Sequence, residues 1–309
     1  MAVKRIQNRI AGNRLLLPMT SILALLIFGV AWLAGSQAWK QLPFLAVSVF
    51  LMSELNKTHA LIRIYSRSIS SSFLLLSIIG SFLYPDYSYG LVQLCLVAFY
   101  TAMFGAYYSI QSIRRVYFAF LCLGVISGFY VQILFVVPFV WMMMAFSLRI
   151  FHFRTWTASL LGLLTPYWFG AVWLFCQSDF RLLAEHFSGI LPADAFFDYD
   201  LLSLRQRIIT VYLFLLFAAG GIHFYRKKYM DKLRTRLLYQ VFATMNLLLW
   251  ALLVIQPAHS DCLIPLVIVN TAPFIAHFVT LTNTRFTNLA FLAIILITFT
   301  LIGFQLWTL

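Results

Sequence analysis

Long apolar runs without a single charge constrain this chain more than any other feature. Ile208 to Gly221 and Asn288 to Trp307 are two of them. In lipid every backbone polar group must be satisfied within the spanning structure, which leaves helices or a closed barrel. Barrel strands alternate apolar and polar residues over about 10 positions. These runs do not alternate, so they are read as helices. The chain is 62% hydrophobic and only 10% charged, with a mean hydropathy of +0.91. A soluble domain carries about 25% charged residues. The bilayer is therefore the solvent for most side chains.

A crossing helix needs about 20 apolar residues. Eleven segments meet or approach this: 15–35, 42–55, 68–84, 90–110, 116–129, 132–148, 156–177, 208–225, 237–256, 263–281 and 287–308. The expectation is an all-α, polytopic transmembrane helical bundle of about eleven helices, with a range of 9–11, forming a single transmembrane domain over 1–309. The first run has no strong small-residue cleavage site after it and reads as a retained helix. Segment 42–55 is short and ends at Glu54, which suggests a re-entrant or tilted piece. The stretch 116–148 is too long for one ordinary helix and tight for two. Arg114-Arg115 and Arg149 flank it and favour the same side, so a hairpin of two short helices turning near Gly128–Gln132 is expected.

Charge placement gives the orientation, because cytoplasmic loops are rich in Lys and Arg. With the N-terminus inside and the C-terminus outside, 18 of 22 basic residues fall inside and 7 of 9 acidic ones outside. The net charge of +13 then reflects topology at an anionic leaflet, where each basic residue gains about 1 kcal/mol. It gives no indication of nucleic acid. The expected localisation is a bacterial inner (plasma) membrane, with membrane lipid and other envelope membrane proteins as partners.

The longest outside connection, 178–206, is the place to look for chemistry. Its first part, from Ser178 to Gly189, has an apolar face of Phe180, Leu183, Phe187 and Ile190. That pattern predicts an amphipathic helix lying in the membrane interface. Asp194, Asp198 and Asp200 follow. Three carboxylates within seven residues suit a divalent cation, or one of them suits a general base. Arg181, Arg205 and Arg207 suit a phosphate clamp, and His186 is a further candidate there. The alternative is that Asp198 and Asp200 are solvated loop residues paired with Arg205.

The remaining polar residues are sparse. Of the six histidines, no two have metal-ligand spacing within one helix, and no metal is assigned. His59, His152, His223 and His277 fall at or near inner ends. The four cysteines read as packing residues. Cys176 and Cys262 fall near one face, where a disulfide is an option. The tenth segment holds Pro265, Asn270, Thr271, Pro273 and His277, which marks it as lining the interior. Asn270 and His277 are therefore expected on a path beneath the outside loop. No charged residue sits near a segment centre, where ion-driven pumps carry one. No nucleotide-binding, zinc-protease or hydrolase motif occurs, and no cofactor is indicated.

Arg149, Phe153-Arg154-Thr155-Trp156, Gly162 and Thr165-Pro166-Tyr167 carry a resemblance over roughly the central third. It is to an uncharacterised family of polytopic bacterial inner-membrane proteins. More remotely, many short helices with one long outside loop are similar to polymerases and glycosyltransferases acting on polyprenyl-linked sugars. Those glycosyltransferases place an acidic residue in their first outside loop. Here residues 35–41 have none. The resemblance implies handling of a lipid-linked sugar or polyprenyl phosphate at the outer face. A non-catalytic scaffold subunit of an envelope complex, and a transporter or flippase without ion coupling, are the alternatives.

Overall fold

The computed structural model describes residues 5–107, 109, 112–177, 181–189 and 196–308. Helices form throughout, and no strand occurs among the described residues. In chain order they are α1 (Ile6–Ala11), α2 (Leu16–Leu33), α3 (Leu42–His59), α4 (Ser68–Leu83), α5 (Tyr87–Ala106), α6 (Ser112–Phe129) and α7 (Val137–Phe146), then α8 (Phe153–Gln177), α9 (Arg181–Ser188), α10 (Leu204–Lys227), α11 (Leu233–Ile255), α12 (Ser260–Leu281) and α13 (Arg285–Trp307). Each of the eleven apolar segments overlaps one of these helices. Eight, namely α2, α5, α6, α8, α10, α11, α12 and α13, are long and apolar enough to cross a membrane. The chain is an integral membrane protein by that criterion.

The connections gather at two ends. At one end Gln7 donates to the Val279 carbonyl, Ser66 donates to the Ala11 carbonyl, and Arg234 donates to His59. At the other, Gln206 donates to Tyr84, which also bonds Ser260, and Arg205 donates to Thr308. The first end carries the basic loops and the N-terminal side of the chain. The second carries Asp86, Asp198, Asp200, Asp261 and the C-terminal side.

Segment 42–55 is part of a longer helix than its apolar run. α3 continues through Glu54, Asn56 and Lys57 to His59 and stops where Ala60 turns left-handed at φ 47°. Its 18 residues at 1.5 Å each reach about 27 Å. The stretch 116–148 is also broken. α6 ends at Phe129, Tyr130 is extended, and a 3₁₀ turn over Val131–Val136 leads into α7. A 3₁₀ turn rises about 2 Å per residue, so this composite rod travels nearly as far as a longer α-helix would.

The reversal is visible in the neighbours of α6. Tyr117 bonds Thr165 and Tyr167 donates to Ser127, so α6 and α8 run parallel, as they must if α7 returns between them. Their approach needs glycine. A Cβ on Gly162 would lie 2.3 Å from the Tyr117 carbonyl oxygen, and one on Gly124 would lie 2.7 Å from that of Leu163. Without a hydrophobic drive between helices in lipid, such small-residue contacts supply the packing.

α12 is the axis of the bundle. Almost its whole span is buried, against α4, α10, α11 and α5. Gly220 lets α10 approach it, since a Cβ there would meet the Phe274 backbone carbon at 2.7 Å. Two of its polar side chains are answered by neighbours: Tyr100 donates to Asn270 and Asn246 donates to Thr271; Tyr239 donates to the Pro273 carbonyl and ties α11 to the same helix.

Candidate functional site

The acidic segment is held by its aromatic residues. Phe197 N–H donates to the Ile255 carbonyl and the Tyr199 hydroxyl to that of Val254. The carboxylates are turned to local work. Asp198 accepts from the Asp200 N–H 3.1 Å away, capping its own 3₁₀ turn. Asp200 is fully exposed and lies 3.6 Å from Arg207. Arg207 also donates to the Leu202 and Tyr199 carbonyls. Arg205 donates to Thr308 instead of pairing with either aspartate. Asp194 lies outside the described residues, as do Ser178, Phe180 and Ile190 of the expected amphipathic helix.

Arg181 and His186 sit apart from these, on α9. That helix rests on α8, with the Phe187 ring stacked 5.2 Å from Tyr167 and the His186 ring 6.0 Å from it. Gln132 donates to the Gly189 carbonyl and ties down its end. His186 lines a cavity of about 300 Å³ between α6 and α8, opposite Gly128 and Pro166. At the same end, the Tyr84 hydroxyl is held between Ser260 and Gln206. The four cysteines are free, so Cys176 and Cys262 are not bridged.

The two candidates on α12 go elsewhere. Asn270 is wholly buried, accepting from Tyr100 and donating to the Leu266 carbonyl. It braces α5 against α12. His277 lies near the opposite end of the bundle from Asp198. Its Nε2 is 3.1 Å from Asp231 Oδ2, and both side chains are buried. Phe224 and Tyr239 wall the ring at 5.3 and 5.4 Å.

This pair floors a cavity of about 200 Å³ whose other walls are Arg63, His223, Lys227, Met230 and Leu281. Arg63 comes from the connection between α3 and α4, His223 and Lys227 from the last turns of α10, and Asp231 from the turn before α11. Neither Arg63 nor Lys227 has a hydrogen bond or ion pair among the described residues. His223 Nε2 and His277 Nδ1 are buried without a partner. His223 and His277 are neighbours, with ring centroids 5.4 Å apart.

A buried ionisable residue in a membrane protein is costly and marks function by default. Chemically, an imidazole held at one nitrogen by a carboxylate, with its other nitrogen unengaged, has the form of a general base. Two unspent cations at the mouth attract an anion. Asp231, His223, Arg63 and Lys227 were not singled out as site residues from sequence. One signal was available: Asp231 is the sole acid in the basic run 226–236.

No family model, curated protein or solved structure matches this chain. The geometry of the site therefore carries the functional reading.

Proposed function

We propose that this multi-spanning membrane protein binds the phosphate of a lipid-linked substrate in the cavity floored by Asp231 and His277. The substrate class is a polyprenyl phosphate or a sugar carried on one. The protein crosses a bacterial inner membrane eleven times, with its basic end in the cytoplasm, so the cavity opens at the cytoplasmic surface. This keeps the substrate suggested by the sequence and moves its site away from 178–206.

One observation carries the reading. Arg63, Lys227 and His223 face a single cavity at a membrane surface, unspent on protein partners, above a buried Asp–His pair. Arginine binds phosphate through a planar fork and lysine as a point charge. By contrast, Arg205 and Arg207 are engaged by Thr308 and by their own loop. The test is binding of a fluorescent polyprenyl phosphate, and of the matching polyprenol, to the purified protein in detergent. Selective binding of the phosphate, lost in the Arg63→Ala/Lys227→Ala double variant, supports the proposal. Equal binding of polyprenol overturns it.

A further inference from the structure

A second polar cavity, of about 410 Å³, opens at the basic end between α3, α5 and α6. It is lined by Glu54, Thr58 and His59 of α3, Thr101 and Gly105 of α5, and Arg115 and Phe118 of α6, among others. It shares no lining residue with the Asp231–His277 cavity, so the two are separate sites.

The charges in it are unusual. Arg115 has no hydrogen bond or ion pair among the described residues, and its guanidinium lies over Gly105, where a Cβ would meet Nη1 at 3.1 Å. Glu54 faces the same cavity. Its ion pair is with Lys57, at 3.6 Å and largely exposed, and not with Arg115. His59 is buried, and its Nδ1 accepts from Arg234 at 2.7 Å. Acceptance at Nδ1 leaves the ring proton on Nε2, a donor. A cation and a carboxylate thus face one space without neutralising each other. A ligand carrying both a phosphate and an ammonium group would satisfy both.

The apolar surroundings point to where such a ligand comes from. Leu55, Ala102 and Phe118 line the same cavity. Val47, Phe50, Glu54 and Thr58 are spaced three or four apart and share one stripe of α3. Val47 and Phe50 are exposed large hydrophobics on the part of the stripe that runs away from the basic end. We infer that this cavity holds the headgroup of a phospholipid bearing a primary amine. Its phosphate sits at Arg115 and His59, its ammonium at Glu54, and its acyl chains lie along Val47 and Phe50.

The test is native mass spectrometry of the full-length protein in detergent. It is titrated with phosphatidylethanolamine or phosphatidylglycerol of identical chains, and with glycerophosphoethanolamine as a competitor. The wild type is expected to retain the ethanolamine lipid about threefold over the glycerol lipid, the scale of one partly exposed ion pair. Glu54→Gln removes that preference, Glu54→Asp keeps part of it, and Arg115→Gln weakens retention of both lipids. Equal or stronger retention of phosphatidylglycerol by the wild type overturns the inference without any variant. So does a preference that survives Glu54→Gln, or retention unaffected by Arg115→Gln. Competition by glycerophosphoethanolamine as strong as by the lipid shows a soluble ligand and rejects the membrane source.

Discussion

His277 Nε2 and Asp231 Oδ2 lie 3.1 Å apart with both side chains buried, joining the end of the central helix to the turn between α10 and α11. Removing either member leaves a buried polar atom of the other unsatisfied, which costs about 1–3 kcal/mol and more where the survivor is charged. Asp231→Ala and His277→Ala are each expected to lower stability by about 2 kcal/mol or more, His277→Ala the more because it strands a buried carboxylate. The double variant should lose at least about 1 kcal/mol less than the sum, since neighbours in one pair do not act independently. Equilibrium unfolding in detergent measures all three. Additive losses would show that the two residues act separately.

Glycine positions separate close helix contacts from open surface. Gly162→Ala and Gly220→Ala should destabilise by about 1–3 kcal/mol, as overpacking does, because a Cβ there meets backbone at 2.3 and 2.7 Å. Gly170→Ala and Gly221→Ala have nothing within 4 Å of the new methyl group. They should be neutral, or stabilising by up to about 1 kcal/mol from helix propensity. Melting temperatures of the four variants would show the split. Equal losses at all four would contradict the packing described for α6–α8 and α10–α12.

The reversal between α6 and α8 is testable by labelling. Single cysteines replacing exposed residues near Arg114, Arg154 and Lys228 should react with an impermeant reagent from one side of the membrane. Those near Asp198 and Trp307 should react from the other. A position near Arg154 that labels together with Asp198 would mean that 131–146 does not return across the bilayer.

Much of this architecture was legible in the sequence, because a long apolar run has few alternatives once lipid is the solvent. Even the break near Tyr130 was signalled, by Arg114-Arg115 and Arg149 wanting one side. The length of α3 was hidden because Glu54 and Lys57 look like a loop, although they continue the helix to a basic surface. The buried pair was hidden for a different reason. Asp231 stands in a run whose charge is explained by topology alone, and His277 is 46 residues away. Only the packing of α10 against α12 shows that they meet. Conversely, Asp198 and Asp200 look convergent in sequence, while a 3₁₀ turn spends one on its own backbone and exposes the other. The anchors of that segment, Phe197 and Tyr199, carry no charge pattern that would mark them.

The two ends of the bundle make opposite claims on a phosphate-bearing lipid, and one comparison decides between them. Affinity for a fluorescent polyprenyl phosphate is measured for the wild type, for Arg63→Ala/Lys227→Ala, and for Arg205→Ala/Arg207→Ala. Loss of the first pair is predicted to weaken binding at least about 10-fold, roughly 1.4 kcal/mol, while loss of the second leaves it unchanged. Binding that survives without Arg63 and Lys227 but fails without Arg205 and Arg207 would contradict the proposed site and return it to the acidic end.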